Sequence, residues 1–419
     1  MSMDSKVPKI RFIGFKEDWE KNPLSIFISS LDAGVSVNSG DRAANENEFG
    51  ILKTSCVTNG FFEPTENKVV FKTDEISRLK ESVLENTIII SRMNTPALVG
   101  ANAYISKSYA NYFLPDRLWA AKPSSIGDLK FIANILGSDK GRLALSDLAT
   151  GTSGSMKNIS KPSVLQLEFR TPEEKEQIQI GNYFQKLDAL INQHQQKHDK
   201  LNNIKKAMLE KMFPKQGETI PEIRFKGFSG EWEEKNLNRI AEKVTEKNIS
   251  ILYCETFTNS AEFGVISQRD YFDKDISNSN NISGYYIVQP DNFVYNPRIS
   301  TLAPCGPINR NTLNRAGIMS PLYTVFKTKG VNAIFIEYFF QTKLWHTFMF
   351  LNGDTGARAD RFSIKDSVFF ELPLPIPTVD EQTKIANYLQ NLDTLINQHQ
   401  QQITKLNNIK QACLSKMFV

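Results

Sequence analysis

Arginine, asparagine and small hydroxyl side chains stand together at several points of this 419-residue chain, and their shared chemistry is hydrogen bonding to nucleic acid. In the first half Arg92, Asn94 and Thr95 leave the apolar run NTIIISR (86–92), and Arg117 follows in FLPDRLW (113–119). The second half offers Tyr295-Asn296-Pro297-Arg298, then Asn309-Arg310-Asn311 and Arg358-Ala359-Asp360-Arg361. Arg and Asn can pair bidentately with guanine and adenine edges, and hydroxyls can meet phosphates or bases. Taken singly, each such residue has a plainer use in a solvated face or a structural ion pair. Their clustering on two segments favours a DNA-facing surface formed by Arg92, Asn94, Thr95 and Arg117 in one half and Asn296, Arg298, Arg310 and Arg358 in the other.

Catalytic chemistry has few candidates. No GxxxxGK[ST] phosphate loop occurs, which argues against ATP hydrolysis by this chain. Asn296-Pro297-Arg298 shares only its first two residues with the Asn-Pro-Pro-aromatic motif that a methyltransferase would carry. Pro115-Asp116 could open a nuclease-like PD…(D/E)xK pattern, but no well-placed ExK follows. Of the four His, 194, 198 and 399 fall on predicted helices and His346 lies on an apolar face, where a core or capping role is expected. The Cys at 56, 254, 305 and 413 form no CxxC pair, so neither a zinc site nor a disulfide framework is expected. A net charge of +4 permits a local basic patch without demanding one.

The elements that must position these residues are duplicated. Residues 183–213 (YFQKLDALINQHQQKHDKLNNIKKAMLEKMF) reappear at 388–418 with a constant offset, so that Ile191 matches Ile396 and Phe213 matches Phe418. Apolar residues recur at spacings of three and four with no Gly or Pro between, which predicts a long helix in each copy. A heptad column of Leu187, His194, Leu201 and Met208, flanked by Leu190, Ile191, Ile204 and Met212, reads as a coiled-coil seam. The second copy repeats the column with Leu392, His399, Leu406 and Cys413. Acids at 173 and 176, and at 380 and 381, suit the positive end of each helix dipole.

A second repeat, PKIRFIGFKEDWE (8–20) and PEIRFKGFSGEWE (221–233), opens each half and is expected to clip the lead-in of the chain onto the rest. Between the repeats, short β-rich runs such as 86–92 and 285–289 and predicted helices at 128–138 and 331–350 differ almost completely in sequence. The reading is an α+β protein of two equivalent half-units, each presenting its own recognition surface, with the long coiled-coil helices packed on each other. Its expected boundaries are 1–170, a first helix at 171–213, a linker and second domain at 214–377, and a second helix at 378–419. No apolar run is long enough to span a bilayer and the N-terminal stretch lacks the apolar core of a signal peptide, so a cytoplasmic location is expected.

The chain resembles the specificity (S) subunit of a type I restriction-modification system. The resemblance runs through the paired IRFxGF…W motifs, the repeated EQ…I…NY.Q.LD.LI segments at 176–191 and 381–396, and the strings IIISRMNTPALVGANA (88–103) and FVYNPR…GIMSPLYTVF (293–326). It implies two α/β recognition domains separated by an antiparallel pair of long coiled-coil helices with internal pseudo-twofold symmetry, in a non-catalytic, sequence-specific DNA-binding subunit whose domains each read half of a bipartite target on double-stranded DNA. The paired helices would set the spacing and dock two modification (methyltransferase) subunits, and restriction subunits would bring translocation and cleavage. It also implies no cofactor in this chain, with S-adenosylmethionine, ATP and Mg2+ belonging to the partner subunits. The competing reading is a free-standing DNA-binding or coiled-coil scaffold protein without enzyme partners; a self-contained nuclease or methyltransferase would need an active site that the sequence does not display.

Overall fold

The structure is a computed structural model and describes residues 6–58, 60–151, 156–272, 279–355 and 360–419. The chain divides into two compact units, Met1–Gln195 together with Gln400–Val419, and Gln196–His399. Each long helix is thus shared between units instead of standing as a segment of its own.

In the first unit the Ile88-Ile89-Ile90 run forms the strand Thr87–Ser91, one of the two inner strands of a four-stranded antiparallel sheet. The order is Asn102–Ile105, Thr87–Ser91, Leu118–Pro123, Ile28–Ala33. All three isoleucines are buried because both faces of the strand are covered. Ile88 and Ile90 pack with the helix Leu129–Gly137, and Ile89 packs with Leu52 and Leu114 on the other side. That helix starts where Asp128 accepts a hydrogen bond from the Phe131 amide (2.9 Å).

The second unit is built around a four-stranded antiparallel sheet in the order Ala241–Lys243, Thr324–Thr328, Phe293–Tyr295, Ile308–Arg310. Asn332 caps the helix Ala333–Phe340 by accepting from the amides of Ile334 and Phe335. The single helix expected over 331–350 is broken into Ala333–Phe340 and His346–Asn352. Two side chains make the break: the Thr342 hydroxyl donates to the Phe339 carbonyl (2.7 Å) and the Trp345 indole to that of Phe340 (3.1 Å).

The long helices are Glu174–Lys211 and Val379–Lys416, each of 38 residues, or about 57 Å at roughly 1.5 Å per residue. In the first unit Ile180, Phe184 and Leu187 of one helix share a core with Met417 and Phe418, and Leu406, Ile409 and Cys413 pack against it. In the second unit Leu201, Ile204 and Met208 pack against a core holding Met212, Ile385, Leu389 and Leu392. The start of one helix lies beside the end of the other in both cases, which is the antiparallel arrangement. Leu190 and Leu395 depart from the expected seam: at 44% and 43% exposure they point away from it, and Ile191 and Ile396 take the buried positions.

The repeated motifs make repeated contacts. Arg11 holds Glu176 with two hydrogen bonds (2.8 and 2.7 Å), and Arg224 holds Glu381 in the same bidentate way (both 2.7 Å). Phe12 meets Tyr183 edge-on at 5.7 Å, and Phe225 meets Tyr388 at the same distance. Gln177 donates to the Pro172 carbonyl and accepts from the Asp128 amide, while Gln382 does likewise with Pro377 and Asn332. Across the helix pair Lys410 reaches Asp188 in the first unit and Lys205 reaches Asp393 in the second, each at 2.6 Å. The lead-in motif is therefore more than the expected apolar clip, because its arginine neutralises a carboxylate buried in the first turn of a long helix.

Candidate nucleic-acid interface

The first site begins where the strand Thr87–Ser91 ends. The Arg92 amide donates to the Arg117 carbonyl and the Arg92 carbonyl accepts from Ile159 (both 3.0 Å), so the strand pairing runs one residue further and sets Arg92 beside Arg117. The Arg92 guanidinium lies over the Trp119 ring, 5.9 Å from its centroid, and its Nε is buried without a hydrogen-bond partner. Arg117 is exposed. Asn94 is turned inward, donating to Ser91 Oγ (3.1 Å) and accepting from the Thr95 amide (2.8 Å), so it shapes the loop. The Thr95 side chain faces solvent while its carbonyl accepts from Leu98 and Val99.

Two further residues hold this loop. Arg142 donates to the carbonyls of Val99 (3.2 Å) and Ala97 (2.9 Å), and burial lowers its pKa. Gly100 turns at φ +75°, where a Cβ would come 2.7 Å from that of Leu145. Lys157 stands opposite Asn94 on a short paired strand, and its ammonium donates to the Gly151 carbonyl (3.1 Å).

In the second unit the strand Phe293–Tyr295 leads into Asn296, Pro297 and Arg298. Asn296 Nδ2 donates to the Asn259 carbonyl (2.8 Å) and its Oδ1 accepts from the Arg298 amide (3.0 Å). Asn259 in turn donates to Val294 and Pro307 and accepts from Asn309, a buried amide network that fixes the strand ends. Gly306 closes the turn at φ +84°, its missing Cβ leaving room for the Asn296 carbonyl. Arg298 is 68% exposed, lies 3.6 Å from Asp360 and pairs through its backbone with Arg361. Beside it opens a cleft of about 720 Å³ that is also lined by Gln268, Tyr271, Phe272 and Tyr323.

Residues 17–203 match the family model described as the type I restriction modification DNA specificity domain. That stretch is therefore similar to a type I DNA specificity domain. In fold, 99% of the chain superposes on 99% of the type I restriction-modification system S subunit from M. genitalium, with a TM-score of 0.63 at 14% identity. Weaker likenesses, both at 14% identity, join 96% of it to 96% of the HsdS subunit from Thermoanaerobacter tengcongensis (TM-score 0.42) and 95% to 97% of a chain from a structure of type I R-M complex assembly and conformational transition (TM-score 0.47). No curated protein sequence matches the chain.

Within the matched residues Arg92 is half-buried beside exposed Arg117, Thr95 is exposed in the following loop, and Asn94 serves as scaffold. In the second unit Arg298 is on the surface and Asn296 serves mainly the amide network. Arg310 departs from the expectation. Its side chain is 13% exposed and is spent on Glu337 (2.7 Å) and on Asp291. The cause is its strand position, which aims it at the helix Ala333–Phe340. Arg358 lies outside the described residues. Sequence reasoning missed Arg142, Lys157 and Gln268, and nothing in their local spacing marks them, since each joins its site through tertiary pairing. Among the described residues no group of three His, Cys, Asp or Glu could hold a metal ion, and no helix is long and apolar enough to cross a membrane.

Proposed function

We propose that the chain is the non-catalytic DNA-recognition subunit of a type I restriction-modification complex, with each unit reading one half of a bipartite double-stranded target. The observation that carries this reading is the repetition of one set of anchors, Arg11–Glu176 and Arg224–Glu381, Asp188–Lys410 and Asp393–Lys205, around two segments that share almost nothing else. A frame kept constant while its contents differ suits two readers of different half-sites. The long helices set the spacing, and with B-DNA repeating about every 34 Å, two readers on one face would address half-sites roughly 10 bp apart.

The outward faces of the helices, where Leu190 and Leu395 stand exposed at matched positions, are the docking surface for two modification subunits. S-adenosylmethionine, ATP and Mg2+ act in those partners and in the restriction subunits, and the complex works in the cytoplasm. Methylome sequencing of a host expressing the chain with its methyltransferase subunit tests the reading. A split methylated motif is expected, and replacing segment 21–170 with that of a relative should change one half only. A soluble complex that methylates no motif in either strain would overturn it.

A further inference from the structure

We propose that the cleft of the second unit binds a single nucleobase taken out of the double-helical stack. This deepens the reading of that unit as a DNA reader and rests on it for the source of the base. The cleft's volume of about 720 Å³ falls within the range of small-molecule sites and exceeds what one base needs. One part of its lining is aromatic: Tyr271 and Phe272 stand edge to face at 4.6 Å and both are exposed to water, with Phe263 packed behind Tyr271 at 6.4 Å. Exposed rings at the mouth of a cleft are a stacking platform for a π-face and do not discriminate between bases. The cleft is also lined by Arg298 and Arg361, adjacent through backbone pairing, cations that suit the phosphates flanking an extruded nucleotide.

The residue that gives the cleft selectivity is Gln268. Its backbone N–H donates to the Thr256 carbonyl (2.8 Å), but its side-chain Oε1 is buried with no hydrogen-bond partner. A buried acceptor left unpaired costs free energy that a donor from a ligand would recover. The exocyclic amines of adenine, cytosine and guanine are such donors, whereas thymine and uracil have no amine and offer only a ring N3–H set between two carbonyls. The geometry thus assigns Gln268 as the residue that recognises an amino-bearing base, with Tyr271 stacking on it.

The test uses the full chain without a methyltransferase subunit, so that base extrusion by that partner cannot contribute. A duplex carrying the second half-site is substituted with 2-aminopurine at successive positions, and fluorescence and anisotropy are read together. Fluorescence should rise at one step of the half-site, and Tyr271→Ala should abolish the rise while anisotropy still reports bound DNA. In a second arm, free nucleoside monophosphates are titrated. Gln268→Ala should weaken adenosine, cytidine and guanosine monophosphate by roughly tenfold, as for one hydrogen bond, and leave uridine monophosphate unchanged. Nucleotide binding with no fluorescence rise would keep the base site and remove its DNA source. Sequence-selective DNA binding with neither response would sink the base site and leave the proposed function standing. Absence of any binding to half-site DNA would instead defeat the reading of the second unit, and the nucleotide arm alone would then decide the cleft.

Discussion

Arg92 and Arg117 are neighbours through one backbone hydrogen bond, yet their side chains are held differently. Stacking on Trp119 restricts the Arg92 guanidinium before any ligand arrives, whereas Arg117 is exposed. A preorganised fork suits base reading and a mobile cation suits phosphate. Arg92→Ala should therefore cost about 1–3 kcal/mol on the target and relax preference at one position, while Arg117→Ala should weaken all sequences alike and flatten the salt dependence. Competition binding across single-base variants of the half-site checks both, and loss of neither affinity nor preference in Arg92→Ala would remove it from the interface. A different residue gives the second unit a pH response. Burial, helped by Lys343, holds the His346 pKa below its ordinary 6.5, so the fold favours the neutral ring and the unfolded chain takes up the proton first. The stability this residue contributes is present above about pH 6.5 and is lost as pH falls through that value. Chemical unfolding of His346→Gln and the parent between about pH 5 and 8 should show the parent losing more stability on acidification. The core or capping role that sequence gave His346 agrees with its place at the start of the helix His346–Asn352 beside Trp345.

At the scale of elements, the long helices were legible because their period shows in the sequence without reference to anything else. Their first turns were not, since Glu176 and Gln177 break the apolar pattern and are buried only because Arg11 and two backbone groups meet them. The clue lay in the duplication: Arg11 and Arg224, Glu176 and Glu381 are matched in both halves, and residues repeated together are candidates for pairing together. Glu176 and Glu381 are each 0% exposed. Removing either arginine leaves a buried carboxylate without its partner, at a cost of about 3–5 kcal/mol. Arg11→Ala and Arg224→Ala should each destabilise the unit that contains them, by similar amounts and additively, in chemical denaturation followed by hydrogen exchange. Unequal or coupled losses would show that the two clamps are not equivalent. The loops between elements resisted reading for the opposite reason. Arg142 reaches Val99 and Ala97 across more than forty positions, and no local pattern announces such a contact.

At the scale of the whole molecule, the duplication foretold two equivalent halves, and packing groups their segments in a different way from chain order. Cutting the chain after residues 170, 213 and 377 follows the order of sequence, whereas the compact units follow packing and exchange the ends of the two helices. Phe418 shows the consequence. It stacks on Phe184 at 5.8 Å and leans on Phe131, deep in the core of the first unit. Phe418→Ala should cost about 3–5 kcal/mol, and the loss should appear as faster amide exchange in Thr87–Ser91 with little change in Phe293–Tyr295. Equal loosening of both strands would mean that the units unfold as one.

The same exchange of helix ends reverses the order in which the units can mature on the ribosome. Translation usually lets an N-terminal domain fold first. The first unit lacks part of its contacts until Gln400–Val419, which is made after the whole of the second unit, has emerged. All of Gln196–His399 is synthesised before that closing segment exists, so the second unit is the earlier to hold its complete set of contacts. The nascent chain therefore carries an unfinished first reader, with the positions of Met417 and Phe418 in its core still empty, through the whole synthesis of the second.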